Sequence, residues 1–323
     1  RVREPRRTQG APDGSGMWGA NRLCWRAMRT LRLIGALTLV LTSCSATAPR
    51  AAAPSGSTGP AAGDASHAPR HAAQGRAGAQ GDGGHAASVH LRFGAPVDGD
   101  PSDDVVLDET HFVLSYNPGL RVANWVSWRL TREDLGAHDR TDRFHADPLL
   151  PTGLQPVKEG DYAGAPFHRG HLCPSSHRTA SRAANVATFV MTNMQPQVGT
   201  VNSGAWRMVE DYERRLAAEG GKTLHIVAGG IFDVEPRRIG TGVAVPKASY
   251  RITVVLDRAA DKVTKGTLAY AVAMPNSDEV RGHKWTEYVT SIDEVERRTG
   301  YDYLSKLPDD VERGLEAGVA VIP

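Results

Sequence analysis

The sequence predicts an α+β domain over residues 89–323, with a central mixed or antiparallel sheet flanked by helices. Three observations point there. Strand-like apolar runs cluster without alternating one-for-one with helices, which argues against a doubly wound parallel sheet. No internal repeat or second linker divides these residues. Hydrophobic residues make up 40% of the chain, enough for a substantial core, and charged residues a moderate 23%.

Taken in order, His111–Tyr116 (HFVLSY) and Trp125–Leu130 (WVSWRL) read as strands, with a turn at Asn117-Pro118-Gly119 between them. The segment 167–178, FHRGHLCPSSHR, reads as a polar loop because Pro174 and two serines interrupt it. Thr188–Met191 (TFVM) is expected to be a short strand. Over Ala205–Ala218, Trp206, Val209, Tyr212 and Leu216 recur at helical spacing and predict an amphipathic helix. Strands are then expected at Leu224–Ala228, Tyr250–Leu256 and Leu268–Met274, and helices at Ile292–Thr299 and Asp309–Ala317.

The first 88 residues read differently. Met28 opens a better start than the upstream residues, so 1–27 are expected to be mis-assigned upstream sequence or to be removed with a signal. Arg29 and Arg32 precede an apolar run, Leu33 to Leu41, too short for an ordinary membrane-spanning helix and suited to a secretory signal. Leu41-Thr42-Ser43-Cys44 has the form of a bacterial lipobox. Residues 28–44 are therefore expected to be a lipoprotein signal with Cys44 as the lipidated residue. That places the protein in a bacterial membrane, facing the periplasm or the cell exterior. Cleavage nearby, giving a soluble secreted protein, is the alternative.

Residues 45–88 contain no aromatic residue and no Leu, Ile, Val or Met, and are too poor in apolar surface to fold. As a flexible coil they would span roughly 35–40 Å, a tether holding a domain off a membrane. Of the three cysteines, Cys24 lies upstream of Met28 and Cys44 would carry lipid. Cys173 is left without an intramolecular partner.

The net charge of +2 hides an uneven distribution. Residues 1–88 hold 11 Lys and Arg against 4 Asp and Glu, leaving 27 basic and 32 acidic residues beyond them. A domain of net −5 excludes a broadly basic surface for polyanions, so any such site must be local. Residues 168–215 supply one, with six arginines and three acidic residues.

His168, His171, Cys173 and His177 all have side chains that can bind zinc. Their compressed spacing lacks the separated second pair that usually closes a structural site. Further on come TNMQPQ (192–197) and NSGAW (202–206), then the helix RMVEDYERRL. On that helix Glu210 and Arg214 are spaced i,i+4, which by itself reads as a surface ion pair.

Together, HRGHLCP, TNMQPQ and NSGAWRMVEDYER resemble, in order and spacing, the DNA/RNA non-specific endonuclease family, whose site is a ββα-metal (His-Me finger-like) motif. HLRFGAP near residue 90, NWVSWRLT at 124–131 and IDEVERRTGYDYLSKLPDD at 292–310 extend the likeness over roughly 90–323.

The resemblance implies metal-dependent hydrolysis of DNA and RNA phosphodiester bonds. It makes His171 the general base and Asn202 the sole protein ligand of Mg²⁺. Asn193 would hold the geometry beside the base, and Glu210 would order the waters around the ion. Arg169 and Arg214 would contact the phosphate, with Arg143 a further contact. His177 and Arg178 are expected to be loop or phosphate contacts. A homodimer is compatible with the resemblance.

Two departures stand out. The family commonly has Asp where this chain has His168, a change that would alter the hydrogen bonds around the ion and favour Mn²⁺ or weaken activity. Cys173 stands where Ala is common and is expected to be a small packing residue. The alternatives are a catalytically weakened nucleic-acid-binding surface lipoprotein and a narrower phosphodiesterase.

Overall fold

A computed structural model describes residues 88–257 and 262–322. The signal, lipidation and tether expectations fall within residues 1–87 and lie outside the described residues. In chain order the strands are β1 (Val105–Asp108), β2 (Val113–Asn117), β3 (Val122–Leu130), β4 (His168–His171), β5 (Met194–Gln197), β6 (Thr223–Ile231), β7 (Arg238–Ile239), β8 (Val243–Ala244), β9 (Ala248–Leu256), β10 (Leu268–Pro275) and β11 (Val289–Thr290). The α-helices are α1 (Arg182–Ala187), α2 (Trp206–Ala218), α3 (Ile292–Thr299) and α4 (Asp309–Glu316).

Seven strands form one sheet in the order β1-β2-β3-β6-β9-β10-β11, and every pairing in it is antiparallel. Its two faces bury different layers, as the period-two alternation of side chains requires. On one face Leu114, Trp128, Ile226 and Val272 pack with Trp206, Val209 and Tyr212 of α2. On the other, Ile252, Val254 and Ala271 pack with Ile292 and Val295 of α3 and Leu315 of α4.

β9 lies in the middle of this sandwich and is buried throughout. Three of its residues on the α2 side are polar, Ser249, Arg251 and Thr253. Arg251 Nη1 pairs with Glu213 Oε2 at 2.5 Å, and Thr253 Oγ1 donates to Glu213 Oε1 at 2.6 Å. Trp206 and Trp128 flank the guanidinium, their ring centroids 4.6 and 5.2 Å from its carbon.

The predicted strands at 224–228, 250–256 and 268–274 lie within β6, β9 and β10, and the predicted helices coincide with α2, α3 and α4 to within a residue at each end. Three expectations change. TFVM is not a strand: Thr188 closes α1 by donating to Asn185 O, and the chain turns through a 3-10 segment at Met191–Asn193. Of it only Val190 makes a bridge, to His145. The supposed loop at 167–178 begins as β4, paired with β5, neither of which hydrophobic patterning reveals. His177 and Arg178 are not surface contacts but buried. Arg178 donates to the carbonyls of His111, Arg129 and His177, and so bolts this segment to the sheet.

Replacing Arg251 with Met should destabilise the domain by about 3–5 kcal/mol, because Glu213 then keeps a buried charge without its partner. Urea denaturation measures this, and a loss below about 1 kcal/mol would contradict the ion pair's structural role.

Candidate active site

The site is assembled from β4, β5 and α2. The register sets His168 opposite Gln197 and His171 opposite Met194. Gly170 is required at the crossing, since a Cβ there would overlap the Gln197 carboxamide. Gln195 and Gln197 both donate to Ser249 Oγ, at 2.8 and 3.2 Å, which fastens β5 to β9. After β5 the chain makes a π-type turn, Val201–Ala205, with Gly204 in a non-helical conformation (φ −106°, ψ −115°), before α2 begins. This turn carries Asn202.

Asn193 is fully buried beneath β4. Its Oδ1 accepts from the Cys173 N–H at 2.9 Å, and its Nδ2 donates to the Cys173 and Thr188 carbonyls at 2.9 and 2.8 Å. It lines neither cavity of the site and fixes the backbone after His171 through these bonds.

His171 is buried at 6% exposure and lines a cavity of about 700 Å³. Phe189 and Phe144 pack against its ring, with centroids 4.8 and 6.0 Å away. Its Nε2 is buried without a protein hydrogen-bond partner. Burial, with Arg140 and Arg169 nearby, pushes its pKa down to about 3, so the imidazole is neutral. Asn202, Glu210 and Arg214 line the same cavity.

Asn202 also lines an adjoining cavity of about 530 Å³, together with His168 and Arg169. Its Nδ2 lies 3.2 Å from His168 Nδ1. A carboxamide nitrogen can only donate, so His168 Nδ1 is the acceptor in this contact. The His168 ring lies over Gly199, where a Cβ would sit 3.0 Å from Nε2.

Glu210 does not pair with Arg214. Its Oε1 is 3.4 Å from Arg251 Nη2, and the i,i+4 ion pair on α2 is Arg207–Asp211 at 3.6 Å. Burial raises Glu210 to about 7, Arg251 opposing and Glu213 reinforcing the shift. Arg251 Nη2 also donates to Leu172 O at 3.1 Å, so one guanidinium ties α2 to the residue following His171.

Arg169 stacks on Phe144, 4.0 Å from the ring centroid, and is ion-paired with Glu159. Arg143 is exposed and lines neither cavity. The arginine that reaches both is Arg140, which bonds Asp142 at 2.6 Å and Ser175 at 3.3 Å. Sequence reasoning missed it because two arginines three apart on an irregular segment carry no periodicity to separate them.

Structural zinc is excluded at the four sequence candidates. Trp128 Nε1 donates to His177 Nδ1 at 3.3 Å and His177 Nε2 donates to Glu210 O at 3.0 Å, which uses both ring nitrogens. Cys173 is buried, its thiol pushed up to about 12 by that burial, and it packs in the core. The role of His177 also differs from the loop or phosphate contact expected of it: it joins β3 to α2.

The residues present fit a hard divalent ion. Asn202 offers a neutral oxygen at the junction of two solvent-lined cavities, with Glu210 in the wall and no thiolate in the lining.

Comparison with known proteins agrees. The family profile described as DNA/RNA non-specific endonuclease matches residues 90–310. A nuclease of Nostoc sp. is 38% identical over 239 residues, covering 72% of this chain and 86% of that protein. A nuclease of Serratia marcescens is 26% identical over 238 residues, covering 71% and 85%. The fold is similar to that solved in an EndoG/EndoGI complex, with a TM-score of 0.58 and 24% identity over 69% of this chain and 92% of that one.

The buried ionisable groups set the pH dependence of stability. Burial pushes His171 and His225 down to about 3 and His177 well below its ordinary value. Unfolded, each takes a proton near pH 6.5, so stability is lost as pH falls below about 6.5. Burial raises Glu109 to about 8 and Glu210 to about 7, so these cost stability as pH rises from about 4.5 through those values. The metal-free urea midpoint should peak between about pH 4.5 and 6.5. A midpoint climbing steadily from about pH 5 to 8 would contradict this balance.

Proposed function

The chain belongs to the DNA/RNA non-specific endonuclease family, and from that premise we propose that the β4–β5–α2 site hydrolyses the phosphodiester bonds of DNA and RNA. The observation that carries this reading is the convergence of His171, Asn202, Glu210 and Arg214 on one cavity.

His171, neutral and without a protein partner at Nε2, takes the proton of the attacking water. Arg140 and Arg169 depress its basicity, and an entering phosphate offsets both charges. The base therefore strengthens when substrate is in place. Arg214 and Arg140 face the cavity where phosphate oxygens would lie, and Arg169 reaches them by exchanging Glu159 for phosphate. Such contacts attract the backbone and leave base sequence unread.

The family is metal-dependent, and here Asn202 would hold Mg²⁺, with Mn²⁺ as the alternative. A bound ion supplies positive charge to the reacting phosphate. Glu210 is placed to accept hydrogen bonds from surrounding water. His168 acts as a positioning residue: by accepting from Asn202 Nδ2 it leaves Oδ1 to face the ion. An aspartate would serve the same purpose, so the departure at this position preserves the acceptor and removes a charge.

Leu33–Leu41 and Cys44 support an exported, lipid-anchored form of this enzyme, with residues 45–88 as tether to the domain at 89–323. Replacing Cys44 with Ser should release the protein from the membrane fraction, and continued membrane association would contradict the anchor.

Plasmid DNA and RNA digestion, with Mg²⁺, Mn²⁺ or EDTA, tests the activity. Both polymers should be cut only with metal, and His171→Ala should lose about 10²–10⁴-fold. In the same assay His168→Ala should raise the metal concentration for half-maximal rate by about 10–100-fold, while His168→Asp retains the wild-type value. Retained binding without cleavage would leave a nucleic-acid-binding module, and cleavage of small diesters alone would leave a narrower phosphodiesterase.

A further inference from the structure

A second concentration of charge lies in the C-terminal helices, on residues the hydrolytic site does not use. Ile292 and Val295 of α3 and Leu315 of α4 bury against the sheet, while Asp293 and Glu296 of α3 turn toward Glu316 of α4. Asp302, from the connection between the helices, and Glu312 of α4 converge on the same residue. Ligand oxygens of Asp293, Glu296 and Glu316 all lie within 4.8 Å of one another, and so do those of Asp302, Glu312 and Glu316.

Glu316 is common to both groups. It is only 6% exposed, and its Oε1 is buried with no hydrogen-bond partner. A carboxylate so placed is costly unless something positive or a donated proton reaches it. Among the described residues no Lys or Arg forms an ion pair with any of the five. The ion pairs of these helices use their neighbours instead, Arg297 with Glu294 and Lys265 with Asp310. Burial and the four surrounding carboxylates raise Glu316 to about 8, and Glu296 and Glu312 are raised as well. Within the cluster Glu296 accepts from the Tyr303 N–H at 2.9 Å, which leaves Glu316 Oε1 as the buried oxygen without a donor.

The donor chemistry selects the cation. Oxygens bound to one Ca²⁺ at about 2.3–2.6 Å are at most about 5 Å apart, a span both triads satisfy. All five donors are carboxylates, with no imidazole or thiolate to favour a transition metal. Mg²⁺ sheds its water reluctantly and is seldom held in an all-protein cage. We propose that Asp293, Glu296, Asp302, Glu312 and Glu316 form a calcium site that clamps α3 to α4 over the sheet. It is independent of the hydrolytic site, which lies against the opposite face of that sheet.

Thermal unfolding of the full chain, stripped with EDTA and titrated with CaCl₂, tests this. Calcium at roughly a hundredfold excess over its Kd should raise the wild-type melting temperature by about 5 °C or more. Asn202→Ala should keep that shift, which separates it from metal at the hydrolytic site. Glu316→Gln should lose it while unfolding, without metal, at or above the wild-type temperature, since the crowding of carboxyl groups around position 316 is relieved. Should Glu316→Gln fail to fold, Asp302→Asn combined with Glu312→Gln decides in its place, and must likewise lose the calcium shift. No shift in the wild type, loss of the shift in Asn202→Ala, or a shift that survives the cluster substitutions would overturn the proposal.

Discussion

One buried guanidinium organises the hydrolytic site. Arg251 projects from the central strand β9 between Trp128 and Trp206, pairs with Glu213, approaches Glu210 and donates to Leu172 O. Together the contacts join the strand side of the ββα unit to its helix. Glu213 and Glu210 belong to α2, Leu172 follows His171, and Trp206 stands where α2 begins. The core thereby accepts a charge, at a desolvation cost that good geometry only partly offsets. What it gains is a fixed relation between the strand bearing His171 and the helix bearing Glu210.

Around that point, polar side chains do work that apolar packing leaves undone. The β4–β5 pair is only four residues long and does not belong to the main sheet, so it cannot rely on a long hydrogen-bond ladder. Gln195 and Gln197 anchor it to Ser249, Asn193 pins the backbone at Cys173, and His177 connects β3 with α2. The π-type turn then lifts Asn202 out of the helical register, a distortion often found where a side chain must face a reactant. The result is a rigid frame with one neutral imidazole and one carboxamide exposed to the same solvent-lined space.

The frame's regular parts were legible in the sequence because burial imposes a period. β3, β6, β9 and β10 are apolar runs, and Trp206, Val209 and Tyr212 mark the buried face of α2. The short strands were not legible. HRGH and MQPQ have no alternation of apolar residues, and their pairing depends on Gly170 admitting Gln197 and on partners distant in the chain. TFVM misled for the converse reason: its apolar residues are buried, but Asn193 and Asn185 commit its backbone to a turn. His171, Asn202 and Glu210 were found through motif resemblance, and the structure brings them together. Arg140 was not found and His177 was given another role, since neither lies on a periodic element and both act through tertiary contacts.

The domain reconciles an acidic surface with a polyanionic substrate by concentrating arginines at the site, where Arg140, Arg169 and Arg214 border the two cavities. His168 adds to this economy. An imidazole in place of a carboxylate lessens the negative charge beside the site while keeping a contact with Asn202 Nδ2. In the proposed site Asn202 is the protein's own ligand, with His168 and His171 acting beside the ion and not upon it. Anomalous diffraction from crystals soaked in Mn²⁺ measures this directly. A peak in the cavity within coordination distance of Asn202 Oδ1 and of no imidazole nitrogen is the predicted result. A peak bonded to His168 or His171, or none at Asn202, would contradict it.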